Sequence, residues 1–219
     1  MTVHVIGVGP GAPDLLTVRA AHLLEEADLV AGFAAALEVV RGHVRGQALA
    51  MDYRNQGAVL ADVGRRAAAG ARCVVCAYGD PDFSAGELVA RVRAACGEVE
   101  VVPGISSLQA ACARLGLALE GIICCTLHRR DGIEESWDEL VAAVGAGRRT
   151  VVTLPRPWDL MPPEVARRLL AAGLASDRPV VLAEELTLPG ERIARLTLAE
   201  LAAREPGTDL AILVFPRPA

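Results

Sequence analysis

The chain contains no lysine: all 22 of its basic residues are arginine. This absence excludes enzymes that form a Schiff base or anchor pyridoxal phosphate through lysine, and it excludes the Walker-A phosphate loop. A GC-rich genome explains much of the bias, because alanine and arginine are abundant together. Arginine also suits carboxylate ligands, since its planar guanidinium can donate two parallel hydrogen bonds.

Long hydrophobic runs and an excess of positive charge are also missing. The longest stretch without a charged residue has 13 residues, Val101 to Ala113, and is too short to span a bilayer. The net charge of -5 argues against a nucleic-acid-binding groove. No basic segment precedes the first strand-like run, so the pattern predicts no signal peptide and a cytoplasmic protein.

Six cysteines are present, and Cys73 and Cys76 have the CxxC spacing of redox and metal motifs. The pair lies in an apolar run that predicts a buried strand, in which residues i and i+3 point to opposite faces. A zinc site would need a second pair, but Cys124 and Cys125 also lie in a strand-like run. We therefore expect reduced core thiols and no metal site.

Strand-like apolar runs alternate with helical patterns, which predicts an α/β protein. The predicted strands cover residues 3–8, 28–31, 47–51, 72–77, 99–102, 119–127, 150–154, 180–184, 192–197 and 209–215. The predicted helices cover residues 15–27, 33–40, 58–69, 86–96, 106–115, 133–144, 162–172 and 198–203. Late strands without a full helix between them indicate a mixed sheet. Because the rhythm changes after Gly116, we expect an N-terminal α/β domain over residues 1–116 and a C-terminal one over residues 117–219.

The first loop, residues 7–13, reads GVGPGAP and matches the glycine pattern of dinucleotide-binding folds. Two features oppose that interpretation. Pro10 and Pro13 interrupt the turn that would bind a pyrophosphate, and the second strand ends without the acidic residue that binds ribose. The loop alone leaves two alternatives open, a ligand-binding loop and a glycine-rich turn packed closely against a strand.

Three further loops follow predicted strands, at the edge of an open α/β sheet where ligands bind. Residues 78–84 read YGDPDFS and combine a glycine, the carboxylate of Asp80 and a proline that fixes the turn. Residues 103–107 read PGISS, and their hydroxyls can cap the next helix or bind a ligand. Residues 126–132 read TLHRRDG, in which a histidine and two arginines form either an anion-binding group or a solvated surface.

Together these motifs resemble those of the tetrapyrrole (corrin/porphyrin) methylase family. The order and spacing of GVGPG at residues 7–11, GDP at 79–81 and PGISS at 103–107 carry the resemblance. It covers essentially the whole chain, and the combination is specific although each motif alone is not.

Within that family, the chain is most similar to the carbon-5 methyltransferases of cobalamin biosynthesis (the CbiE type), which act on cobalt-precorrin-7. LHRR at residues 127–130 supports this, as do EEL at 184–186 and PGER at 189–192. Asp82 and Arg129 stand where that subgroup often has glycine, so the substrate is less sharply indicated than the reaction.

The resemblance implies a two-domain tetrapyrrole methylase fold, with a mostly parallel N-terminal sheet, a mixed C-terminal sheet and the active-site cleft between them. It also implies an S-adenosylmethionine-dependent methyltransferase that releases S-adenosylhomocysteine and is usually a homodimer. Transferred motif by motif, the residues expected to bind the cofactor are Pro10, Tyr78, Gly79, Asp80, Phe83, Ser106, Ser107, Leu154 and Leu186.

The implied substrate is an anionic tetrapyrrole or corrinoid that carries many acetate and propionate groups. We expect His128, Arg129 and Arg130 to bind it, with Arg156 as a further candidate for a forked hydrogen bond to a carboxylate. No residue is assigned a covalent or metal-bound catalytic role, because alignment of the reacting atoms dominates such a methyl transfer. In some relatives a carbon-15 methyltransferase with decarboxylase activity is fused to the carbon-5 enzyme, and here such a partner would be a separate protein.

Other functions stay open at this point. An NAD-dependent dehydrogenase explains the first loop only, and a non-catalytic subunit would bind a partner methyltransferase. A sister methylase that acts at another ring position or on uroporphyrinogen would share the three motifs. The glycine-rich stretch expected after GDP in uroporphyrinogen enzymes is missing, since residues 83–87 read FSAGE.

Overall fold

The structure is a computed structural model that describes residues 2–128 and 132–218. Its contacts divide the chain into two units, one ending at Ser107 and the other beginning at Leu108. The predicted domain boundary after Gly116 lies about one helix further along the chain, and it stays a prediction.

The first unit contains a five-stranded sheet in which all strands are parallel. Its strands are β1 (Val3–Gly7), β2 (Leu29–Phe33), β3 (Gln47–Met51), β4 (Cys73–Ala77) and β5 (Val99–Val102). Its helices are α1 (Val18–Glu26), α2 (Ala34–Val40), α3 (Gln56–Ala68), the short α4 (Pro81–Ser84) and α5 (Gly86–Cys96). The strand order is β3-β2-β4-β1-β5, so β1 lies between β4 and β5. The predicted parallel N-terminal sheet is confirmed.

Helices cover both faces of this sheet. Alternate residues of β4 point to opposite faces, so Cys73 packs with α3 and α5, whereas Cys76 packs with α1 and α2. Strands buried on both faces need a continuous apolar run, which explains why β4 reads CVVCA. The prediction that the two CxxC thiols lie in a buried strand and point apart is therefore confirmed.

The expectation of core thiols is wrong for one cysteine. Cys73, Cys76, Cys112 and Cys125 are buried and Cys96 is half-buried, but Cys124 is exposed. Successive residues of a strand point to opposite faces, so Cys125 faces the core and Cys124 faces away from it on an edge strand.

We expect iodoacetamide to alkylate Cys124 first in the native protein at about pH 8 and to leave Cys73 and Cys76 unmodified. The pKa is raised to about 12 for both the Cys76 and the Cys124 thiol, chiefly by desolvation, so the thiolate fraction does not separate them. The order follows from access of the reagent, because Cys124 is exposed whereas Cys73 and Cys76 are buried. Peptide mass mapping before and after unfolding in urea measures the order of modification. Rapid labelling of both Cys73 and Cys76 in the folded protein would contradict their buried placement.

The second unit contains a mixed five-stranded sheet in the order β6-β7-β10-β8-β9. Its strands are β6 (Ile122–Thr126), β7 (Thr150–Leu154), β8 (Pro179–Glu184), β9 (Arg192–Thr197) and β10 (Ala211–Phe215). Its helices are α6 (Ser107–Leu115), which begins at the unit boundary, α7 (Glu134–Ala146), α8 (Pro162–Ala171) and α9 (Leu198–Ala202). β6 and β7 pair in parallel, and the other pairs are antiparallel, which confirms the predicted mixed sheet.

One hydrophobic core fills the helix-covered face of the second sheet, with α7, α8 and α9 packed against it. β10 is antiparallel to both β7 and β8, so β7 and β8 run in the same direction. The carboxyl ends of β6, β7 and β8 therefore meet at one edge of the sheet. Within the described parts of the chain, the helices are too short or too polar to cross a membrane.

Candidate active site

Three loops contact one another through backbone atoms at the carboxyl edge of the first sheet. Gly7 ends β1, while Gly79 and Gly104 follow the neighbouring strands β4 and β5. A Cβ on Gly104 would lie 2.5 Å from the carbonyl oxygen of Gly79 and 2.8 Å from the Cα of Gly7. A Cβ on Gly7 would lie 2.6 Å from the amide nitrogen of Gly104. Only glycine therefore allows these loops to approach so closely.

Hydrogen bonds fasten the first of these loops to the second. The Gly9 amide donates to the Gly79 carbonyl at 3.2 Å, and the Gly79 amide donates back to the Gly9 carbonyl at 2.8 Å. Both glycines adopt positive φ, +84° for Gly9 and +70° for Gly79, which other residues rarely adopt. The Tyr78 hydroxyl donates to the Pro10 carbonyl at 2.6 Å and so fixes the tyrosine ring beside the first loop.

The carboxylate of Asp80 is held at the start of α4. Its Oδ1 accepts a hydrogen bond from the Asp82 amide at 2.8 Å, and Pro81 occupies the first turn of the helix. Phe83 is half-buried in the same short helix. On the neighbouring loop Ser106 is buried, and Ser107 is the first residue of α6. The predicted cofactor residues of the first unit thus lie on three loops at one sheet edge.

The charge of these loops is negative. Residues 8–17, 78–86 and 103–109 contain Asp14, Asp80 and Asp82 but no arginine or histidine. Such an edge favours a cationic ligand over an anionic one, because like charges repel more strongly where water is partly excluded.

The backbone of the first loop also differs from a dinucleotide-binding turn. Residues Pro13–Leu15 form a 3-10 turn, and α1 begins only at Val18, where the Thr17 side chain accepts from the Ala20 amide at 3.2 Å. The helix predicted from residue 15 therefore starts three residues later. No helix N-terminus follows directly on the glycines to bind a pyrophosphate, which speaks against the NAD-dependent alternative.

At the carboxyl edge of the second sheet, His128 follows β6 and a tight turn follows β7. Arg156 and Leu160 close the turn through two backbone hydrogen bonds, of 3.1 Å and 2.9 Å. Arg156 is buried, and its Nε and terminal nitrogen donate to the two carboxylate oxygens of Asp159 at 2.6 Å and 2.7 Å. Arg156 thus makes a forked hydrogen bond within the turn, and its expected role towards a substrate carboxylate stays a prediction. The predicted substrate residues Arg129 and Arg130 lie outside the described residues.

The loop that follows β8 is compact and strained. Glu185 and Thr187 have positive φ, of 50° and 69°, although neither is glycine. The carboxylate of Glu191 accepts from the Thr187 amide at 2.6 Å and from Arg114 Nε at 2.7 Å. Glu191 therefore stabilises the loop that carries the predicted cofactor residue Leu186, which is buried.

Glu191 was not among the predicted site residues, and its effect should depend on pH. The Arg114 guanidinium and then the Thr187 amide hold the pKa of Glu191 below its usual value of 4.5. A lowered carboxyl pKa stabilises the fold above the unfolded-state pKa, and the contribution is lost as the pH falls through the folded-state pKa. We expect Glu191→Gln to melt at a lower temperature than the unaltered chain at neutral pH, and the difference to shrink as the pH falls below the usual carboxyl pKa of 4.5.

Thermal melts of the two proteins across this range measure the effect. Glu164→Gln is the matched control, because Arg167 and then Arg168 lower the pKa of Glu164, but these ion pairs lie along α8 only. At neutral pH, Glu191→Gln should weaken S-adenosylmethionine binding and Glu164→Gln should not. If Glu191→Gln and the unaltered chain melted at the same temperature at every pH, Glu191 would not stabilise the loop through Arg114 and Thr187.

The comparison with protein families decides the relationship. The family model described as Tetrapyrrole (Corrin/Porphyrin) Methylases matches residues 2–202. The chain belongs to this family. S-adenosylmethionine is the family's cofactor, so the predicted fold and cofactor are confirmed at the level of the family.

Among named relatives, the "Probable cobalt-precorrin-7 C(5)-methyltransferase" of Methanocaldococcus jannaschii is 28% identical, over 91% of this chain and 91% of its own length. A siroheme synthase of Gluconacetobacter diazotrophicus is 32% identical over 92% of this chain but only 45% of its own length. The chain thus spans about half the length of the siroheme synthases it matches.

Two solved structures share the fold. The precorrin-6Y methylase (cbiE) of Archaeoglobus fulgidus aligns over 100% of this chain and 99% of its own, with a TM-score of 0.74 and 24% identity. The uroporphyrin-III C-methyl transferase of Thermus thermophilus, complexed with S-adenosylhomocysteine, aligns over 99% of this chain and 92% of its own. Its TM-score is 0.75 at 26% identity.

Proposed function

We propose that the chain is an S-adenosylmethionine-dependent methyltransferase that methylates carbon 5 of cobalt-precorrin-7 in cobalamin biosynthesis. The observation that carries the methyltransferase part is the acidic carboxyl edge of the first sheet, where Gly7, Gly79 and Gly104 bring three loops into backbone contact. S-adenosylmethionine carries a sulfonium and an ammonium, so this edge favours it over an anionic dinucleotide.

Most of the predicted cofactor residues then have a physical role. The Asp80 carboxylate lowers the energy of the ligand's positive charges, and the hydroxyls of Ser106 and Ser107 offer hydrogen bonds to its polar groups. The ring of Tyr78, fixed by the hydrogen bond from its hydroxyl to the Pro10 carbonyl, would form one side of the cofactor site. Leu154 and Leu186 are proposed from the resemblance alone, and their buried apolar side chains suit contact with an adenine ring.

Catalysis by positioning is consistent with these residues. When bound, S-adenosylmethionine supplies an already activated methyl group. The loops have only to hold donor and acceptor in line and to exclude water, and such orientation can contribute on the order of 7–11 kcal/mol. A reaction of this kind does not require the missing lysine.

The carbon-5 assignment is supported by the motifs at residues 127–130 and 184–192 and by the M. jannaschii relative. A uroporphyrinogen methylase is the second candidate, because the siroheme synthases are slightly more identical to this chain. Residues 83–87, which lack a glycine-rich stretch, favour carbon 5. The proposal includes a homodimer in the cytoplasm and a carbon-15 methyltransferase as partner.

Incubation with methyl-labelled S-adenosylmethionine and either cobalt-precorrin-7 or uroporphyrinogen III tests both candidates. Mass spectrometry detects the transferred methyl group, and NMR assigns the carbon that carries it. We expect one methyl group on carbon 5 of the corrin precursor. Transfer to uroporphyrinogen alone would replace the carbon-5 assignment by the second candidate, and no transfer to any tetrapyrrole would refute the methyltransferase proposal.

A further inference from the structure

Trp158 lies at the tip of the turn that follows β7, and 47% of its surface is exposed. The base of the turn is formed by Arg156 and Leu160, which are both buried. Two backbone hydrogen bonds join these residues. An exposed tryptophan contributes less hydrophobic free energy to folding than a buried one does. Its position at the carboxyl edge of the second sheet points to a ligand-binding role.

Neighbouring side chains fix the orientation of the indole. The Arg156 guanidinium carbon lies over the ring, 5.7 Å from its centroid, and Asp159 holds that guanidinium through two hydrogen bonds. The His128 ring meets the indole at 77°, with 5.9 Å between centroids. Because β6 and β7 are adjacent and parallel, His128 and Trp158 are brought together from two neighbouring strand ends. A preorganised ring binds a ligand with little loss of side-chain entropy.

We infer that Trp158 is a stacking platform for one face of the tetrapyrrole macrocycle. The inference rests on the proposed function, which makes the ligand a flat conjugated ring with carboxylates at its periphery. Aromatic side chains bind such π-faces without regard to the substituents at the rim, as they do with nucleobases. His128 adjoins the platform, where it can meet a group at the rim of the ring. Trp158 would therefore select the conjugated ring itself, whatever the substituents at its rim.

Affinity for a macrocycle tests the inference. We expect Trp158→Ala to bind a polycarboxylate macrocycle about tenfold or more weakly than the unaltered chain, and Trp158→Phe to retain most of the affinity. The probes are uroporphyrin and cobyrinic acid, titrated by absorbance in the presence of S-adenosylhomocysteine. With the substrate that the enzyme methylates, KM for the tetrapyrrole should rise in Trp158→Ala while KM for S-adenosylmethionine stays constant.

Trp137→Phe is the matched control, because it changes the other of the two tryptophans, which packs partly buried against the core of the second unit. It should leave macrocycle affinity unchanged. Calorimetry with S-adenosylhomocysteine checks that each variant folds and retains its cofactor site.

The outcomes separate the inference from the proposed function. Equal macrocycle affinity of Trp158→Ala and the unaltered chain would refute the platform alone, and so would a changed oligomeric state with unchanged affinity, which would make Trp158 a subunit contact. An unaltered chain that binds S-adenosylhomocysteine but neither macrocycle would refute both the platform and the tetrapyrrole substrate. A chain that binds neither S-adenosylhomocysteine nor a macrocycle would refute the proposed function at its first step.

Discussion

Gly104→Ala is expected to weaken S-adenosylmethionine binding about 100-fold or more and to destabilise the chain by about 1–3 kcal/mol. The added Cβ would lie 2.5 Å from the Gly79 carbonyl oxygen and 2.8 Å from the Gly7 Cα. Both obstacles are backbone atoms, so no side-chain rotation can relieve the clash. The loops must move apart, and the proposed cofactor contacts at Asp80 and Ser106 move with them.

Isothermal titration calorimetry and urea unfolding measure the two effects. Gly57→Ala is the matched control, because a Cβ on this exposed residue of α3 meets no atom within 4 Å among the described residues. It should leave binding unchanged and stabilise the helix by about 0.5–1 kcal/mol. Unchanged cofactor affinity in Gly104→Ala would mean that the glycine contact does not shape the binding site.

Asp80→Asn is expected to lower the affinity for S-adenosylmethionine about tenfold, a free-energy change between those of a charge pair in water and one near a protein surface. Asparagine caps a helix as well as aspartate does, so the start of α4 is preserved and only the charge is removed. The affinity for S-adenosylhomocysteine, which lacks the sulfonium charge, should fall less.

Calorimetry with both ligands at low and high salt measures this difference. Asp82→Asn removes a charge from an exposed residue in the same loop and should have a much smaller effect. If both variants lost the same affinity for S-adenosylmethionine, the effect would come from the net charge of the loop and not from a specific contact with Asp80.

Much of the fold could be predicted from the sequence because its signals are local. β3, β5, β7 and β9 have the predicted bounds, and β3 for example is delimited by Gly46 and Asp52 on its two sides. The start of α1 was missed because Pro13 and Asp14 favour a 3-10 turn, and the Thr17 cap sets the true beginning. α4 was missed because a four-residue helix has too few residues to show periodicity.

The site was predictable only in part, because sequence signals are local and several of its contacts join distant residues. Motifs at the carboxyl ends of parallel strands must share an edge, which placed Gly79 and Ser106 correctly near each other. The sequence does not show that Gly7 touches Gly104, or that Glu191 binds Arg114, because those contacts join residues far apart in the chain. The ion pair of Arg156 with Asp159 was predictable from the sequence, because the acidic residue stands three positions further on.

The position of β1 inside the first sheet, between β4 and β5, has a consequence for synthesis on the ribosome. The first strand to emerge pairs with β4 and β5, which are made about 70 and 95 residues later. Until then, β1 lacks both neighbours, and the loop at Gly7 lacks the backbone of Gly104 against which it packs. We expect a nascent chain that has not yet released β5 to remain a chaperone substrate, and the cofactor loops to assemble in one late, cooperative step.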